Sequence, residues 1–234
     1  MQLVLPVLHS HDYSLKNFIA GSNTSLLEHL QQQLSSTLGE SAANPITFVH
    51  GLHGAGKTHL LSACHQIAEA NSISCQYLDM HELVSMPAPI IQDIGLLDSL
   101  FIDNIDAIAN QHAWQVQIFD TINQFLEHSG KCLLFSSSKS VVACQFSLPD
   151  LASRLMWGTT FHLQELDESE KVLAIKKHFN ERGISVQQEV ILFLMNRSHR
   201  DMHKLMQLVE RLDSLSLQSK RKLTIPFIKQ ALSI

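Results

Sequence analysis

The sequence predicts a parallel α/β sheet with flanking helices, followed by a small all-helical domain. Two observations predict the sheet: short apolar, β-branched runs alternate with helical patterns between residues 46 and 163, and one strand–helix junction carries a complete G-x-x-x-x-G-K-T loop. A third predicts the second domain, because only helical spacing remains after residue 163. The chain therefore divides into a nucleotide-binding α/β domain over 10–163 and a helical domain over 164–234, with 1–9 as a separate N-terminal peptide.

The elements follow in order. Ile46-Thr47-Phe48-Val49-His50 reads as a buried strand, and 58–70 places apolar residues at helical spacing. Strands are expected at 74–79, Ser99–Asp103, 131–135 and 159–163. Trp114, Ile118, Ile122 and Phe125 mark a helix over 114–128. Asp167 with Glu170 forms a capping pair that opens a helix ending near Arg182, and helices over 187–196, 199–212 and 224–232 complete the second domain. A Gln31-Gln32-Gln33 triplet lies in a further helical stretch.

Gly51-Leu52-His53-Gly54-Ala55-Gly56-Lys57-Thr58 carries the most specific chemistry in the chain. Glycines at these positions let successive N–H groups face a phosphate, and the helix N-terminus adds partial positive charge. Lys57 is placed to reach the β- and γ-phosphates and the Thr58 hydroxyl to ligate Mg²⁺, so ADP or ATP with Mg²⁺ is the expected ligand. Downstream, Leu100-Phe101-Ile102-Asp103 is an apolar strand ending in the carboxylate expected to hold the Mg²⁺ hydration shell. Asn104 follows, where hydrolysing relatives of such loops carry a carboxylate that orients water. An amide cannot accept a proton in that way, so weak or no intrinsic ATPase activity is expected.

Composition narrows the class further. With 234 residues and 45% hydrophobic content the chain can bury a substantial core. It contains no apolar run of membrane-spanning length and no basic-then-apolar leader, so a cytoplasmic protein without membrane contact is expected. Cys64, Cys75, Cys132 and Cys144 fall in an expected helix, strand, strand and loop without C-x-x-C spacing, which argues for reduced thiols rather than zinc or disulfides. Among fourteen histidines, His59 with His65 and His199 with His203 lack ligand partners at metal-site spacing. A net charge of −5 argues against a free-standing DNA binder, so any DNA contact is expected to be indirect.

Taken together, Tyr13-Ser14-Leu15-Lys16-Asn17-Phe18-Ile19-Ala20-Gly21-Ser22-Asn23, the phosphate loop, Ile102-Asp103-Asn104-Ile105-Asp106, Leu148-Pro149-Asp150-Leu151-Ala152-Ser153-Arg154-Leu155 and Arg221-Lys222-Leu223-Thr224-Ile225-Pro226-Phe227 resemble the AAA+ module of the DnaA/Hda family. The resemblance covers essentially the entire chain and implies an AAA+ P-loop sheet with a helical lid. Within the family the chain is more similar to the regulatory inactivators than to the initiators, whose C-terminal helix-turn-helix domain this sequence stops short of.

Several site assignments follow only from that resemblance. Gly51, Gly54, Ala55, Gly56, Lys57, Thr58 and His59, with Phe18, Ile19 and Asn23, would cradle the nucleotide; Phe18 and Ile19 equally suit a packed core. Arg200 would sense nucleotide from the lid, with plain surface charge as the competing reading, and the first sensor near Ser138 lacks the usual Asp or Asn. Arg154 would act in trans as an arginine finger, the alternative being an i,i+4 ion pair with Asp150. Gln2, Leu3, Leu5, Pro6 and Val7 match a peptide that docks on the sliding clamp, the β subunit of DNA polymerase III, although Val4 and Val7 depart from the usual pattern.

The implied function is negative regulation of chromosomal replication initiation. The chain would dock on the DNA-loaded clamp and stimulate ATP hydrolysis by the initiator DnaA, with homo-oligomers also open. Alternatives are an autonomous AAA+ ATPase loader or remodeller and a non-enzymatic adaptor that sequesters the initiator.

Overall fold

The strands β1 (Ile46–His50), β2 (Cys75–Asp79), β3 (Ser99–Asp103), β4 (Cys132–Ser137) and β5 (Thr159–His162) lie parallel in one five-stranded sheet, in the order β2-β3-β4-β1-β5. The helices are α1 (Thr24–Ser36), α2 (Lys57–Ala70), α3 (Met80–Leu83), α4 (His112–Leu126), α5 (Val141–Cys144), α6 (Pro149–Trp157), α7 (Glu168–Glu181), α8 (Gln188–Arg197), α9 (Met202–Ser219) and α10 (Ile225–Leu232). The computed structural model describes residues 13–36, 44–197, 201–219 and 221–232.

The alternation of side chains along each strand divides the core. Phe48, Ile102, Leu133 and Phe135 point to one face and pack under Trp114, Ile118, Ile122 and Phe125 of α4 and Leu151 and Leu155 of α6. Val49, Phe101 and Leu134, one residue out of phase, point to the other face and meet Leu26 and Leu30 of α1 and Leu60, Leu61 and Cys64 of α2. A sheet covered on both sides needs apolar residues at successive positions, and every residue of β3 and β4 is buried. The edge strand β5 instead alternates half-buried and exposed residues.

α7 to α10 form an all-helical lid with its own core, in which Ile175, Phe179, Ile191, Val209, Leu212 and Ile228 are completely buried. The capping box is present: Asp167 accepts from the Glu170 N–H and the Glu170 side chain accepts from the Asp167 N–H. Arg182 donates to the fully buried Asp213 at 2.7 Å, tying the end of α7 to α9. Among the described residues no helix is long and apolar enough to cross a membrane.

Strands β1 and β3 coincide with the expected bounds, whereas two helices differ for identifiable reasons. α9 runs on to Ser219, beyond the expected stop at residue 212, because Ser214 and Ser219 donate to the carbonyls of Glu210 and Leu215 one turn back and leave the helix intact. Its start falls at Met202 because the Asp201 carboxylate accepts the Lys204 N–H at 2.9 Å, an N-cap not anticipated. Cys144, expected in a loop, closes the short α5, which Ser140 caps and Gln145 ends in the left-handed region.

Gly158, where α6 turns into β5, offers a test of this packing. A Cβ there would lie 2.5 Å from Ile46 Cγ2 and 2.8 Å from the Ile46 carbonyl oxygen, and Ile46 is fully buried in β1. Gly158→Ala should therefore lower stability by about 1–3 kcal/mol, read as a shifted midpoint in urea unfolding.

Candidate functional site

The strand order brings the C-terminal ends of β3, β4 and β1 side by side, and the phosphate-binding motif spans the turn from β1 to α2. The Gly51 N–H donates to the Ser137 carbonyl at 3.2 Å, fixing the loop to the end of β4. Gly56 is the N-cap of α2 with φ of 102°, a conformation that L side chains rarely adopt, and Phe18 packs against it. Lys57 is only 7% exposed, and its Nζ donates to the carbonyls of Gly51 at 2.8 Å and Leu52 at 2.9 Å. Burial lowers the Lys57 pKa, while Asp103 and Asp106 pull it back up.

Asp103 has no solvent exposure, and hydroxyls surround its carboxylate. Thr58 Oγ1 donates to Oδ2 at 2.6 Å, Tyr77 donates to the same oxygen at 2.8 Å, and Ser136 donates to Oδ1. The Tyr77 phenol is pushed up by burial and then by the neighbouring Asp103 charge. Thr58 and Asp103 thus present paired hard oxygens, a donor set that fits Mg²⁺.

Asn104 turns away from this cluster. It sits in the left-handed region, and its Nδ2 donates to Asp79 Oδ1 at the end of β2, 3.0 Å away. Its N–H donates to Ser136 Oγ. Asp106, on the following turn, accepts from both the N–H and the hydroxyl of Ser138, so the hydroxyl where a first sensor is expected already has a carboxylate partner. Burial would raise the Asp106 carboxyl, but hydrogen bonds from Ser138, from its own backbone N–H and from Ser137 together outweigh it and hold the group below its ordinary value.

The segment before α1 lies between α2 and the lid. His59 packs against Tyr13 and Phe18, with ring centroids 4.9 and 5.4 Å away, and its Nε2 lies 2.8 Å from Asn17 Oδ1 and 3.1 Å from the Ser14 carbonyl. The same Asn17 side chain donates to Glu181 of α7 at 3.4 Å, and Lys177 of α7 donates to the Lys16 carbonyl. Asn23 is buried and both ends of its amide pair with the Gln164 backbone, at 3.1 and 2.8 Å. Ile19 is half-buried. At the loop tip, His53 Nδ1 lies 3.7 Å from Asp201 at the start of α9.

Arg154 belongs to a different surface. Leu151 and Leu155 anchor α6 on the opposite face of the sheet from α2, which leaves Arg154 exposed on its last turn. Among the described residues it has no ion pair or hydrogen bond, so the alternative of a bridge to Asp150 is not realised. With Phe119, Asp150, Ser153 and Trp157 it lines a cavity of 340 Å³. Arg200 and the peptide Gln2 to Val7 lie outside the described residues. No group of three or more His, Cys, Asp or Glu among the described residues could hold a metal.

Tyr77 and Ser136 were not anticipated. A tyrosine in a strand bound for the core needs a partner for its hydroxyl, and that signal was present in the sequence.

Comparison with known proteins places these features. Residues 9–162 match the family described as bacterial DnaA ATPase domain, and residues 167–232 match the lid domain of Hda. An uncharacterized protein of Haemophilus influenzae is 32% identical over 233 residues, 100% of this chain and 99% of that protein. Domain III of the Thermotoga maritima replication initiation protein DnaA superposes with a TM-score of 0.78 at 19% identity, covering 95% of this chain and 96% of that one. AMPPCP-bound DnaA from Aquifex aeolicus gives 0.72 at 22% identity, over 88% of this chain and 67% of that one.

His59 supplies a pH test of this arrangement. Burial holds its imidazole below the ordinary value, so the folded protein keeps it neutral where the unfolded chain, with a pKa of about 6.5, takes up a proton. Its contribution is complete above that value and is lost as pH falls below it, by at most about 1.4 kcal/mol per pH unit. Burial lowers His29, His50, His65 and His178 in the same direction. Urea unfolding at a series of pH values should show a shallower loss on acidification in His59→Gln than in the unaltered protein; parallel slopes would show that the folded protein protonates His59 as readily as the unfolded chain.

Proposed function

This chain belongs to the bacterial DnaA ATPase-domain family, and we propose that it is a nucleotide-holding negative regulator of replication initiation. In this reading it docks on the DNA-loaded sliding clamp in the cytoplasm and makes an ATP-bound initiator hydrolyse its nucleotide. The observation that carries the proposal is the contrast between Asn104 and Arg154. The residue following Asp103 is an amide turned toward Asp79, which suits holding a nucleotide more than cleaving it. The guanidinium of Arg154, without a partner among the described residues, stands exposed on α6 beside an indole that is 55% exposed, as suits a group directed at a second molecule.

The residues divide the work. The N–H groups from Gly54 to Thr58 face the phosphates of ADP or ATP, and Lys57 exchanges its loop carbonyls for phosphate oxygens. Thr58 and Asp103 hold Mg²⁺, which when bound neutralises charge on the phosphate oxygens. The DnaA of Aquifex aeolicus, solved with AMPPCP in the same fold, supports nucleotide binding. Phe18, Ile19 and His59 line the approach from the N-terminal segment, and Arg200 reads the nucleotide from the lid. Arg154 contacts oxygens of the γ-phosphoryl group held by the initiator as water attacks it, stabilising charge that develops only in that transition state. Gln2, Leu3, Leu5, Pro6 and Val7 form the extended clamp-docking segment, which makes DNA contact indirect.

The discriminating experiment measures ATP hydrolysis by the initiator with and without this protein and a DNA-loaded clamp. Stimulation supports the regulator, turnover by this chain alone the autonomous ATPase, and binding without stimulation the adaptor. Arg154→Ala should leave folding and nucleotide affinity unchanged while lowering stimulated hydrolysis by at least about a hundredfold, and Arg154→Lys should not restore it, because an ammonium lacks the planar fork. Replacing Gln2 and Leu5 by Ala should abolish clamp binding in a surface-binding assay with the unfolding midpoint unchanged; retained affinity would remove the docking role.

A further inference from the structure

We infer that Tyr77 is a positioning residue for the magnesium site, acting through Asp103. The inference rests on the reading of Thr58 and Asp103 as the Mg²⁺ pair and deepens it. Tyr77 of β2 stands opposite Phe101 of β3, so Asp103, two positions further along β3, is its diagonal neighbour on the same face. The phenol crosses that diagonal to donate to Asp103 Oδ2 at 2.8 Å, the oxygen that also accepts from Thr58 at 2.6 Å.

Packing alone does not account for a hydroxyl at this position. Tyr77 is 9% exposed within a cluster of Leu60, Leu61, Cys64 and Phe101, where phenylalanine would fill the same volume without a polar atom to satisfy. Its hydroxyl instead completes a three-point mount. Thr58 from α2 and Tyr77 from β2 hold Oδ2, while Ser136 from β4 holds Oδ1, so rotation of the carboxylate breaks at least one hydrogen bond. Both lone-pair directions of Oδ2 are used, which keeps Asp103 aimed at the Thr58 hydroxyl and acting on the cation through its water shell. Removing the phenol hydroxyl leaves only Thr58 and Ser136 to hold the carboxylate and so loosens its orientation.

The test follows binding of a fluorescent ADP analogue to the full chain across a MgCl₂ titration and again in EDTA. Tyr77→Phe should raise the Mg²⁺ concentration for half-maximal effect by about tenfold, leaving the affinity in EDTA unchanged. In an Asp103→Asn background the same substitution should have no further effect on the Mg²⁺ response, because the carboxylate through which Tyr77 acts is gone. Tyr77→Leu, which also lacks the hydroxyl, serves if the phenylalanine variant fails to fold. An unchanged or lowered half-maximal Mg²⁺ concentration, or an equal loss of affinity in EDTA, overturns the positioning role while leaving the magnesium reading intact. An unaltered protein that binds the analogue with no response to Mg²⁺ overturns both.

Discussion

A carboxylate with no solvent contact organises the centre of this molecule. Asp103 is ionisable and wholly buried, a costly arrangement unless its oxygens are satisfied, and three hydroxyls from three separate elements satisfy them. Those donors come from β2, β4 and the first turn of α2, so the requirement of one side chain fixes the relative placement of the sheet and the phosphate loop. The loop is held at its other end by the Gly51 N–H on Ser137, and Lys57 closes across it onto two carbonyls. A phosphate entering this loop would compete with those two carbonyls for the Lys57 ammonium group.

Periodicity and motif made much of this legible from the sequence. Thr47 to Val49 and Leu100 to Ile102 fill both faces of their strands, and such runs read directly as inner strands of a parallel sheet. The glycines and Lys57-Thr58 announced the loop because their spacing is set by phosphate geometry. Contacts that depend on the order of strands were not legible. Nothing in a linear reading pairs Tyr77 with Asp103, Asn104 with Asp79 or Asp106 with Ser138, since each partnership exists only once β2, β3 and β4 lie side by side. The serines of α9 misled for a local reason, their hydroxyls having found carbonyls one turn back.

The N-terminal segment joins the two halves of the chain. His59 on the first turn of α2 meets Asn17, Asn17 meets Glu181 on α7, and Asn23 pairs with the backbone at Gln164, just after β5. A displacement of α2 by a bound nucleotide would therefore reach the lid through the Asn17 side chain, alongside the Lys177 bond to the Lys16 carbonyl and the approach of His53 to Asp201. This coupling is short and polar, and it crosses no part of either hydrophobic core.

The two tryptophans of the chain occupy opposite environments. Trp114 is 2% exposed on the sheet-facing side of α4 and its indole N–H donates to the Met86 carbonyl at 3.2 Å, whereas Trp157 is 55% exposed and shares a cavity with Arg154. Emission from the first responds to global unfolding and that from the second to whatever covers the α6 surface. The protein thus carries a built-in optical reporter beside its exposed arginine, and a blue shift without loss of the buried component would signal a partner arriving at that face.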